Sequence, residues 1–67
     1  MSVRDITPDA VLAAVRAGDD DVFKLAETFE VMHVSHTLRT TIALLNDAGR
    51  LHVVRRREDN TAVLAVA

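Results

Sequence analysis

Apolar side chains recur at helical spacing through the first two thirds of the chain and then give way to an alternating pattern. Ile6-Thr7-Pro8-Asp9 opens the first helical stretch. Thr7 is a suitable N-cap, Pro8 suits the first helical position, and Asp9 faces the positive end of the macrodipole. Ile6 before the cap is placed to staple onto Val11. Val11, Leu12 and Val15 make the buried stripe, and Gly18 closes a helix over about residues 8–17. Asp19, Asp20 and Asp21 then supply a cap and first-turn carboxylates for a second helix over about 20–29, with Val22, Leu25, Ala26 and Phe29 inward.

Ser35 caps a third helix over about 36–48, stopped by Gly49. At 100° per residue, Leu38, Ile42 and Leu45 centre its buried arc, with Thr41, Leu44 and Ala48 at the margin. His36, Arg39, Thr40, Ala43, Asn46, Asp47 and Arg50 share the opposite side. Beyond Gly49 the period becomes extended. Residues 51–57 read as a strand, Glu58-Asp59-Asn60 as a turn, and 61–66 as the return strand. Register stays open, because Val53-Val54 and Val63-Leu64 each offer an apolar side chain to both faces. The expected fold is one α+β domain over residues 1–67, three helices followed by a β-hairpin.

Composition narrows the function. The 67 residues are 49% apolar, enough for one modest core. The only aromatics are two Phe, which leaves no platform for stacking single-stranded bases. With no cysteine there is neither a disulfide framework nor a thiolate metal site. No signal peptide or membrane-length apolar run is present, so a soluble cytoplasmic protein is expected. The abundance of Ala, Val, Arg and Asp points to a GC-rich bacterial or phage source.

The net charge of −2 conceals a bipolar chain. Residues 1–30 carry three basic and seven acidic side chains, whereas residues 31–57 carry five Arg against Asp47 alone. One positive end can thus meet a polyanion while the acidic end faces away.

Two metal readings fail. Three consecutive aspartates point in different directions and suit helix capping better, and His33, His36 and His52 fall short of the four ligands a structural zinc takes. No Gly-rich phosphate loop or nucleophile constellation suggests an enzyme. No cofactor, metal or small-molecule ligand is expected.

Leu25-Ala26-Glu27, Thr37-Leu38-Arg39, Ile42, Leu45, Gly49 and Leu51, in this helix-helix-helix-hairpin order, resemble the winged helix-turn-helix superfamily, and within it the DNA-binding head of GntR-type bacterial regulators. The resemblance implies a small transcription regulator that sets its third helix in the major groove. Thr37 and Arg39 would meet phosphates and base edges, with Leu38 in the core. The hairpin would be the wing, with Arg55, Arg56 and Arg57 on the backbone. Independent physical grounds are the phosphate affinity of a helix N-terminus and the bidentate fit of Arg to guanine. The full expected contact set is Ser35, His36, Thr37, Arg39, Thr40, Ala43, Arg55, Arg56 and Arg57. Four to six phosphate contacts imply a slope of log affinity on log salt of about −4 to −5.

Three departures from the family stand out. The segment from Glu30 to Val34 is about two residues longer than the usual turn, with Glu30 in place of a glycine. The wing tip is acidic at Glu58 and Asp59, so contact is expected from the wing's stem. No effector-binding segment follows, so regulation is expected to come from a partner or from abundance. The alternative function is protein docking, either to an acidic partner or through the apolar C-terminal strand, which could also pair two copies.

Overall fold

The computed structural model describes residues 5–67. Helices α1 (Pro8–Arg16), α2 (Val22–Thr28) and α3 (His36–Asp47) precede strands β1 (Leu51–Arg56) and β2 (Ala62–Val66). The layout is α+β, three helices followed by a two-stranded antiparallel hairpin, and it is compatible with a winged-helix arrangement. No helix among the described residues is long and apolar enough to cross a membrane.

Local chemistry sets the helix ends. Thr7 and Asp21 accept the backbone N–H three residues on at 3.2 and 2.8 Å, and Ser35 accepts from Leu38 at a longer 3.4 Å. All three helices close with the same pair of bonds. Gly18, Glu30 and Gly49 adopt φ of 115°, 58° and 74°. The next residue's N–H reaches back to Ala14, Ala26 and Leu45 respectively, at 2.8–3.0 Å. Glu30 is the one such position without a glycine.

The second helix is shorter than the expected 20–29. Asp21 is its cap, so Asp20 lies outside it, and Phe29 is already the C-terminal cap residue. Asp20 has a different task, for its carbonyl accepts the Leu64 N–H at 2.7 Å. The segment before α2 therefore occupies the middle of β2's outer edge, the edge expected to be open for pairing with another chain. The hairpin's other edge, along β1, faces no strand among the described residues.

Val11, Leu12 and Val15 from α1, Leu25 and Ala26 from α2, Phe29 just past its end, Leu38 and Leu45 from α3, and Leu51 and Leu64 from the hairpin form one core. The hairpin register, open in the sequence, pairs Leu51 with Val66, Val53 with Leu64, Arg55 with Val63 and Arg56 with Ala62. A bulge between Val53 and Arg55 leaves Val54 as the extra residue. In a regular strand Arg55 would share a face with Leu51 and Val53. The inserted residue reverses that parity and gives the place to Arg56. The turn is closed by the Asn60 N–H on the Arg57 carbonyl at 2.8 Å, with Asn60 at φ 70°.

Candidate nucleic-acid interface

The outer face of α3 is polar and open. His36, Thr37, Arg39, Thr40, Ala43 and Asn46 are all exposed. His36 Nε2 and Thr40 Oγ1 lie 3.4 Å apart, one turn from each other. Arg39 donates from Nε to the His33 carbonyl at 3.0 Å. This bond anchors the guanidinium beside the loop preceding α3 and leaves its NH₂ groups free of described partners. Ser35 differs from the rest of the expected set, because it is half-buried and its hydroxyl already caps α3.

The three wing arginines divide three ways. Arg55 is exposed and opposite Val63, away from α3. Arg56 donates to the Asn60 carbonyl at 3.1 Å and, with Arg39 and Asn46, lines a cleft between the hairpin and α3. Arg57 turns to the base of α2, where it pairs with Asp21 and, at 3.4 Å, with Asp20. Expected as a phosphate contact, Arg57 is about a third exposed and is engaged in an ion pair with Asp21.

That commitment has an electrostatic reason. Asp21 is only 3% exposed, and burial raises its carboxyl. The bonds from Arg57 and the Lys24 N–H outweigh burial and hold it below its ordinary value of 3.8. Asp20 is also lowered, chiefly by the Lys24 ammonium at 3.2 Å. The bond to Asp21 in turn raises Arg57 above its ordinary value. A carboxylate this enclosed needs a cation, and Arg57 supplies it. Asp19 accepts from the Thr28 hydroxyl at 2.7 Å. The acidic triplet thus caps α2, braces it and docks the wing.

Two features of the interface escaped the sequence reading. Phe23 lies off the buried stripe of α2, is half exposed, and packs its ring against His33 with centroids 5.0 Å apart. An aromatic off its helix's apolar stripe was the available signal. The cleft itself had none, since it draws on α2, α3 and both strands. A scan against protein-family models returns no match for this chain, and searches of curated proteins and of solved structures return none either.

Proposed function

We propose that this protein is a small winged helix-turn-helix regulator that binds duplex DNA, with α3 in the major groove and the stem of the hairpin along the backbone. The observation that carries the reading is the partition of charge. Arg39, Arg55 and Arg56 are exposed on α3 and the hairpin, while Asp20 and Asp21 are paired internally by Lys24 and Arg57. Arg39 and Arg56 share one cleft and Arg55 stands on the hairpin's other face, all three on the elements that such a domain turns toward DNA. In this reading Arg39 reads base edges, Thr37, Thr40 and His36 make polar contacts, and exposed Ala43 permits close approach. Arg55 and Arg56 hold phosphates.

With Arg57 committed elsewhere, the wing contributes two cations rather than three. The salt slope falls accordingly to about −3 to −4. Fluorescence anisotropy of a labelled random duplex, titrated between about 50 and 200 mM salt, tests this. Binding that weakens with that slope, and is lost in the Arg55→Ala/Arg56→Ala double variant, is the expected result. Absence of binding at the lowest salt would transfer the role to protein docking, for which half-exposed Val34 and Leu44 beside α3's polar face offer apolar contact.

A further inference from the structure

The side of α3 that turns toward the hairpin forms one wall of a cleft of about 470 Å³. Its lining includes Phe23 from α2, Arg39 and Ile42 from α3, and Val53, Arg56 and Leu64 from the hairpin. The volume falls within the roughly 300–1,000 Å³ typical of small-molecule sites.

Three details distinguish this cleft from an ordinary surface depression. Phe23 is 50% exposed, yet its ring is held by tilted packing on His33, so an apolar wall stands ready in water. Val53, 42% exposed, presents a second apolar surface. Arg39 and Arg56 are each tethered through one donor, to the carbonyls of His33 and Asn60, which fixes their positions and leaves other N–H donors available. Asp59 also lines the cleft, but its Oδ1 accepts the Thr61 N–H at 3.0 Å. One carboxylate against two guanidiniums leaves the lining cationic.

We propose that the cleft binds a small amphipathic anion, with a flat apolar body against Phe23, Ile42 and Val53 and a carboxylate or phosphate head held by Arg39 and Arg56. Guanidinium forks match both head groups. The apolar body discriminates such a ligand from a simple inorganic anion. Because the same two arginines serve the DNA interface, occupancy competes with DNA. That consequence alone rests on the DNA-binding reading.

The test is a ¹H–¹⁵N NMR titration of the full chain with 2-naphthoate, beside its uncharged analogue 2-naphthylmethanol. Saturable shifts centred on Phe23, Arg39, Ile42 and Val53 are expected, with naphthoate about tenfold tighter than the alcohol. Arg39→Gln and Arg56→Gln each weaken naphthoate about fivefold or more, while Phe23→Ala weakens both probes. Retained amide dispersion in each variant shows that the fold is intact. No saturable shift up to about 5 mM, or equal affinity for the two probes, overturns the proposal, as does indifference of naphthoate to both arginine variants. A duplex-anisotropy competition separates the two claims. Cleft binding without displacement of bound DNA removes the competition and leaves the anion site standing, whereas absence of DNA binding removes only the DNA reading.

Discussion

Glu30 holds a φ of 58° because α2 ends in the same bonding pattern that Gly18 and Gly49 complete for α1 and α3. A side chain in that left-handed region costs about 1–2 kcal/mol, part of which a glycine returns through its looser unfolded state. Glu30→Gly is therefore expected to stabilise the protein by about 0.5–1 kcal/mol. For a domain of this size that raises Tm by several degrees in a thermal melt followed by circular dichroism. An unchanged or lower Tm would contradict the strain. At Asp21 two roles coincide, capping α2 and holding Arg57. Asp21→Ala loses both, and the cap alone is worth about 0.5–2 kcal/mol. The carboxyls of Asp20 and Asp21 lie below 3.8 in the folded chain. The stability they lend is complete above that ordinary value and is lost as pH falls through their depressed folded values. Asp21→Asn removes one of these groups, so its acid denaturation profile between about pH 5 and 2 should be shallower than that of the unmodified chain. A parallel profile would mean that the pairing contributes nothing.

Among the elements, α3 is shared by the core and the proposed interface. Leu38 is fully buried between Thr37 and Arg39, which are both exposed. Leu38→Ala should cost about 2–5 kcal/mol, comparable with the whole stability of a chain this short. Urea unfolding should then show a large fraction of unfolded protein before denaturant is added. The starts of α1 and α3 were legible in the sequence because Thr7 and Ser35 each cap within three residues of themselves, whereas three adjacent aspartates left the start of α2 open between neighbours. The hairpin differed. Its turn was readable from Glu58-Asp59-Asn60, but adjacent apolar pairs in both strands left two registers open. The bulge at Val54 settles which arginine faces α3, because it pairs Arg55 rather than Val54 with Val63 and so shifts every later side chain of β1 to the other face.

Over the whole molecule, charge is sorted by folding rather than by position in the chain. Arg57 belongs to the basic stretch in sequence and to the acidic side in space, because Asp21 draws it across a separation of 36 residues. Arg57→Gln should accordingly lower thermal stability more than Arg55→Gln does, and should weaken DNA binding less than Arg56→Gln does. Melting curves and duplex anisotropy on the three variants check that ordering. Glu58, exposed at the wing tip and without a described partner, opposes an approaching phosphate. Glu58→Gln should strengthen duplex binding about two- to threefold at low salt, the scale of a surface charge interaction of about 0.2–1 kcal/mol. A gain that persists undiminished at high salt would exclude an electrostatic origin.

The sequence alone determined the element order, the ends of α1 and α3 to within a residue, most of the core, and the polar face of α3. All of these follow from periodicity and capping, which act within a turn or two of the chain. Tertiary structure decided the strand register, the parting of Arg55, Arg56 and Arg57, the bond of Asp20 to the middle of β2's edge, and the cleft between α3 and the hairpin. Each depends on atoms distant in sequence. A buried carboxylate must find a cation, an edge N–H must find a carbonyl, and an apolar strand face must meet a helix, wherever along the chain those partners lie.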